Sequence, residues 1–211
     1  MKLRVKVCGI TNLDDAICCI DTGTDALGFI FYKNSPRNIS PQAAAKIIQK
    51  IPPYVTPVGV FVNERREIIQ RTISETGIRI VQLSGDEMPE QCLGYDVKVW
   101  KAFRIRHEQE VDHVRQFTIS AAMLDGASGN LYGGSGMRAD VSVARAIKQY
   151  HPLILAGGLN PENIADAILS VQPYGVDVSS GLESSPGKKE FSKVQKFFEK
   201  IEQLNISSLQ E

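Results

Sequence analysis

Eight times along this chain, a short apolar run rich in β-branched residues gives way to a stretch patterned for a helix. The runs fall at residues 4–8, 26–31, 58–62, 80–83, 97–103, 121–124, 153–156 and 175–178. Several are continuously hydrophobic, as parallel strands covered on both faces are. Between them, apolar residues recur at i, i+3, i+4 and i+7: Leu13, Ala16, Ile17 and Ile20; Ala44, Ile47, Ile48 and Ile51; Ile164, Ala167, Ile168 and Val171; Val194, Phe197, Phe198 and Ile201. Each set makes one apolar stripe for a core. Ser40-Pro41 and Asn160-Pro161 each place a capping side chain just before a proline suited to a first helical position. Residues 89–93 support only a short helix, and the polar tail after Ile201 is expected to fray.

Eight strand–helix units at near-even spacing predict an α/β fold, one closed (β/α)₈ TIM barrel of eight parallel strands spanning residues 1–211 as a single catalytic domain. An open doubly wound sheet is the rival. The strand count favours the barrel. So does the placing of the unusual residues, which follow strand C-terminal ends, where barrel active sites are built.

Charge narrows the function classes. Twenty-four basic residues balance twenty-four acidic ones, so no bulk field draws the chain to nucleic acid or to an anionic membrane. No apolar run approaches the ~20 residues that span a bilayer, and residues 1–7 alternate charged and apolar as a strand does. A cytoplasmic protein is expected, working on a small molecule with no nucleic-acid or membrane partner, as a monomer or a homodimer. Cys8, Cys18, Cys19 and Cys92 match no zinc or CxxC spacing, and His107, His113 and His151 form no ligand pattern, so no metal is expected.

The last two strands run into glycine-bearing loops, Gly157-Gly158 and Ser179-Ser180-Gly181. Glycines let backbone N–H groups approach an anion, and loops after strands seven and eight are the common phosphate site of such barrels. One such loop alone reads as a tight turn; two adjacent ones point to a phosphorylated ligand. Cys8 closes the first strand, with Thr11 or Asn12 placed to cap the helix that follows. A thiol can serve as a base near neutrality if its surroundings favour the thiolate. An inert buried cysteine is the simpler reading at this point. Asp125 closes the sixth strand, where an acidic residue is costly unless solvated or used. The loop after it carries Gly133-Gly134-Ser135-Gly136, and Gly134 is expected to fold with that loop over a ligand. Arg37 follows the second strand and offers a fork for a carboxylate. Asp177 points from the eighth strand toward the same mouth. Lys101 either lines the barrel interior or lies on the surface.

Taken together in order, Val7-Cys8-Gly9-Ile10-Thr11, Ser35-Pro36-Arg37, Val81-Gln82-Leu83 with Gly85-Asp86-Glu87, Leu124-Asp125, Leu155-Ala156-Gly157-Gly158-Leu159 and Gly175-Val176-Asp177-Val178-Ser179-Ser180-Gly181 resemble the phosphoribosylanthranilate isomerases of tryptophan biosynthesis, over nearly the whole chain. The resemblance implies an Amadori rearrangement of N-(5-phospho-β-D-ribosyl)anthranilate without a cofactor. It implies Asp125 as general acid on the ring oxygen and Cys8 as general base at C2. It further implies Arg37 on the anthranilate carboxylate, Asp177 on the ribose, and Gly157, Gly158, Ser179 and Ser180 on the phosphate. Two residues depart from the pattern: Ser84, where the family often has histidine, and Ser135, where threonine is more usual. A non-catalytic barrel that binds a phosphometabolite, or another sugar-phosphate isomerase, is the alternative.

Overall fold

The parity of each strand decides which way its side chains face, and in a closed barrel that sorting leaves two separate cores. In the computed structural model, which describes residues 3–105, 107–125 and 137–207, eight parallel strands close in chain order. They are β1 (Arg4–Cys8), β2 (Ala26–Ile30), β3 (Thr56–Phe61), β4 (Ile80–Leu83), β5 (Lys98–Phe103), β6 (Ala121–Asp125), β7 (Leu153–Ala156) and β8 (Gly175–Val178). The register between β1 and β8, Lys6 against Asp177 and Val7 against Val178, joins the first strand to the last and shuts the barrel.

The helices α1 (Leu13–Asp21), α2 (Pro41–Ile48), α3 (Arg66–Thr76), α4 (Val111–Val114), α5 (Met137–Ile147), α6 (Ile164–Val171) and α7 (Phe191–Ser207) follow successive strands, except that β4 is followed by a 3₁₀ turn, Pro89–Cys92. A two-stranded hairpin, β9 (Glu183–Ser185) and β10 (Lys188–Lys189), stands between β8 and α7. Val5, Val7, Leu27, Phe29, Phe61, Leu83, Val99 and Phe103 face outward and pack under the helices as the main core. Each such side chain contributes about 1.5–3 kcal/mol by leaving water. Inside the barrel, Ala26, Val58, Ile80, Ala121, Met123 and Ile154 pack about Trp100.

The helix starts follow local chemistry. Asn12 Oδ1 accepts from Asp15 N at 2.8 Å and caps α1. Ser40 Oγ accepts from Ala43 N at 3.2 Å, with Pro41 at the first position of α2. Asn160-Pro161 departs from expectation. Asn160 Oδ1 accepts from the N–H groups of Glu162 and Asn163, but these residues form a turn and the regular helix starts at Ile164. α7 runs to Ser207, so residues 202–207 continue the helix past Ile201, and the rest of the tail, residues 208–211, lies outside the described residues. Ile17, counted in the α1 stripe, lies at its edge and is 37 % exposed. Among the described residues no helix is long and apolar enough to cross a membrane.

Candidate active site

Cys8 is the last residue of β1, and its side chain turns inward at the C-terminal mouth of the barrel, 6 % exposed. Lys6, two residues earlier, faces the same side by strand parity and is 2 % exposed. Its Nζ lies 2.7 Å from Asp177 Oδ1, contributed by the neighbouring strand β8. Gly28 of β2 stands in register with Cys8, and a Cβ there would come 2.7 Å from Cys8 Sγ and 3.0 Å from Lys6 Cε. The missing side chain is the space into which both groups fit.

Burial pushes the Cys8 thiol above its ordinary range. Lys6 pulls it down, Asp177 pushes it up again, and Lys189 pulls it down. The net displacement favours the thiol form in the free protein. Asp125 ends β6 on the same inward side, half-buried. Burial raises its carboxyl above the usual carboxylate range, and Arg104 pulls it partway back. Asp177 lies between them on β8; burial raises it, Lys6 opposes, and the Asp125 charge raises it further. The site thus pairs a thiol that can give up its proton with a carboxyl biased toward keeping one.

Arg37 lies across the end of β1. Gly9 has φ of +80°, and a Cβ on it would fall 2.6 Å from Arg37 Cδ. The fork of Arg37 is occupied by Glu183, with Nε donating at 2.8 Å to Oε1 and Nη2 donating at 2.6 Å to Oε2. Nη1 is the guanidinium nitrogen outside that pair, so a bidentate grip of Nε and Nη2 on a substrate carboxylate would require Glu183 to yield. Glu183 also accepts from Lys189 Nζ at 3.0 Å, and the same ammonium donates to the Cys8 carbonyl at 2.7 Å. A chain of charge runs from Arg37 through Glu183 and Lys189 to the backbone of Cys8.

The two glycine loops meet beside this chain. Gly157 and Gly158 have φ of +90° and +67°. Nothing crowds a Cβ at Gly158, so its glycine serves the backbone conformation. Asn163 Nδ2 donates to the Gly158 carbonyl at 2.9 Å and fixes the loop. A Cβ on Gly181 would fall 2.0 Å from the Leu159 carbonyl oxygen, so glycine there lets the loops after β7 and β8 touch. Ser179 Oγ donates to the Cys8 carbonyl at 3.1 Å, and Ser180 is exposed. Gly134 and Ser135 lie outside the described residues.

Sequence reasoning overlooked Lys6, Glu183 and Lys189. Lys6 looked like one more charge in an alternating strand; its signal was the shared parity of Lys6 and Cys8. Glu183 and Lys189 belong to β9 and β10, strands too short to show a period. Lys101 is neither in the interior nor on the surface. Its parity is that of Val99 and Phe103, so it lies outside the barrel wall, 3 % exposed, with Nζ 3.2 Å from Glu87 Oε2. Glu87 also accepts from Asn63 N and Gly85 N, each at 2.9 Å, tying the ends of β3, β4 and β5 together. Ser84 Oγ accepts from Gln82 Nε2 at 3.1 Å. His107 and His113 are exposed, and His151 Nε2 sits 3.2 Å from the Val114 carbonyl. Among the described residues no three acidic, His or Cys side chains gather as a metal site.

Residues 5–200 match the family model of N-(5'-phosphoribosyl)anthranilate (PRA) isomerase. A protein of that name from Trichlorobacter lovleyi is 46 % identical over 196 residues, covering 92 % of this chain and 96 % of the relative. The phosphoribosyl anthranilate isomerase of Thermotoga maritima superposes with a TM-score of 0.85 at 41 % identity, covering 96 % of this chain and 100 % of the other. Another phosphoribosyl anthranilate isomerase, in complex with reduced 1-(o-carboxyphenylamino)-1-deoxyribulose 5-phosphate, has a TM-score of 0.83 at 38 % identity, covering 96 % and 100 %.

Proposed function

The chain belongs to the N-(5'-phosphoribosyl)anthranilate isomerase family, and from that premise we propose that Cys8 and Asp125 carry out its reaction as base and acid around one sugar ring. The enzyme is an isomerase of tryptophan biosynthesis. It converts N-(5-phospho-β-D-ribosyl)anthranilate to 1-(2-carboxyphenylamino)-1-deoxy-D-ribulose 5-phosphate.

The observation that carries the assignment is the placement of both groups at the mouth, on the inward face of β1 and β6, with Asp177 between them. The Asp125 carboxyl gives its proton to the furanose ring oxygen as the C1–O bond breaks and the anthranilate nitrogen lone pair forms the iminium. The ionised Cys8 sulfur takes the proton from C2, and the electron pair neutralises the iminium to give an enolamine. Loss of the C2 hydroxyl proton and gain of one at C1 yield the aminoketone. Asp125 is left ionised and Cys8 protonated, and exchange with solvent resets the pair.

Asp177, paired with Lys6, holds a ribose hydroxyl. The Gly157-Gly158 and Ser179-Ser180 loops take the phosphate, supported by their contact at Gly181 and by the left-handed backbone at both glycines. Arg37, through Nη1, meets the anthranilate carboxylate. Four free thiols fit a reducing cytoplasm. A coupled assay that generates the substrate in situ tests the pair. Cys8→Ala and Asp125→Ala should each lose at least about a hundredfold in kcat; retained turnover in either sinks that assignment.

A further inference from the structure

Resting on Cys8 as the base, we propose that Lys6 is the positioning residue for it: the buried ammonium is the cation against which the Cys8 thiolate forms, and Asp177 competes with the sulfur for that charge. Cys8 is 6 % exposed, so water contributes little to stabilising an anion on its sulfur. A protein cation has to do so. Among the described residues, three approach. Lys189 Nζ is committed to the Cys8 carbonyl, the Ser179 carbonyl and Glu183 Oε1. Arg37 is held by Glu183. Lys6 alone among them shares strand and face with Cys8.

Both side chains converge over Gly28. One point, the place of its missing Cβ, lies 2.7 Å from Sγ and 3.0 Å from Lys6 Cε. The charged Nζ, one bond beyond Cε, has Asp177 Oδ1 at 2.7 Å as its carboxylate. Asp125, on β6, adds a further negative charge that acts on Asp177. Burial works against the Lys6 ammonium, yet Asp177 and then the Cys8 sulfur more than offset it and keep it charged. A lysine sealed inside a barrel is a poor way to fill space, since apolar residues of similar volume do so with equal or better stability. Its charge is what the position needs.

The test follows alkylation of Cys8 by iodoacetamide in the ligand-free protein, quantified on the Cys8 peptide by mass spectrometry across a pH series. Lys6→Met should move the midpoint for Cys8 up by at least about one pH unit, a roughly tenfold slower reaction on the acid side. Asp177→Asn should move it down. Should Lys6→Met alone misfold, the Lys6→Met/Asp177→Asn double variant removes both charges, and its midpoint should lie above that of Asp177→Asn. A midpoint unchanged by Lys6→Met, or equal in the double and the Asp177→Asn proteins, overturns the proposal; a purely structural lysine would lower Tm and kcat without moving it. Turnover by Cys8→Ala is the separate readout for the base. If it persists, that role fails while the alkylation shift still reports Lys6 on the sulfur.

Discussion

The Glu183 carboxylate grips Arg37 by two guanidinium nitrogens, Nε at 2.8 Å and Nη2 at 2.6 Å, and carries Lys189 Nζ at 3.0 Å. Glu183→Ala would release the arginine and strand a buried ammonium. We expect KM to rise about tenfold, equivalent to about 1.4 kcal/mol of binding, and stability to fall by about 3 kcal/mol. Steady-state kinetics and urea unfolding read the two effects; an unchanged KM would separate Arg37 from the substrate.

The same carboxylate makes stability depend on acid. Burial alone would raise Glu183, but the bonds from Arg37 and Lys189 outweigh it and hold the carboxyl below its usual range. The unfolded chain therefore binds this proton more readily. The contribution is present above the unfolded value of about 4.3 and is lost as pH falls through the lower folded value. Glu183→Gln should flatten that acid limb of a Tm–pH curve.

Asp125 works in the opposite sense. Burial raises its carboxyl in the folded state, so its contribution to stability is full below the unfolded value and is lost as pH rises through the folded one. Asp125→Asn should be at least as stable as the wild type at about pH 8, by thermal unfolding. Its turnover should nevertheless fall by a factor of about 10²–10⁴. A parallel loss of Tm and turnover at that pH would make Asp125 structural.

Gly28→Ala should damage catalysis through packing alone. The new methyl would meet Cys8 Sγ at 2.7 Å and the Cys8 Cα at 3.1 Å, and overpacking of this kind costs about 1–3 kcal/mol. The expected result is a folded enzyme with kcat reduced at least about tenfold, a displacement effect of the kind small misplacements produce. Full activity would show that the sulfur can move without penalty.

Lys101→Met separates the two buried lysines of the barrel wall. Lys101 pairs with Glu87 on the outer face, and removing one partner of a buried pair costs about 3–5 kcal/mol. Tm should drop while KM and kcat stay within about twofold of wild type at a temperature where the variant is folded. A selective loss of kcat would return Lys101 to the active site.

The strands were legible by two patterns: residues 80–83 and 153–156, coinciding with β4 and β7, are almost wholly apolar, while residues 4–8 and 175–178, coinciding with β1 and β8, keep an apolar outward face and turn Lys6 and Asp177 inward. Helices with wide apolar stripes, α2, α6 and α7, were legible too. α3 was not singled out, since Arg66, Glu67, Gln70 and Arg71 dilute its apolar face. In the candidate site, Cys8 and Asp125 stand out by their position at strand ends. Lys6 does not, because its ion pair is with Asp177, 171 residues away. Glu183 and Lys189 depend on a hairpin whose order comes from side-chain ion pairs with other loops, a tertiary cause that local periodicity does not record.

The seam between β1 and β8 also sets a schedule for the nascent chain. Cys8 is made well before Asp177, Glu183 and Lys189, and only closure of the final strand brings them to it. A chain halted before β8 can own every other strand and still lack the charged groups that surround its thiol in the closed barrel. Reactivity at Cys8 is therefore a clock on barrel closure: during refolding it should acquire its native pH dependence in the same kinetic phase that docks the C-terminal hairpin.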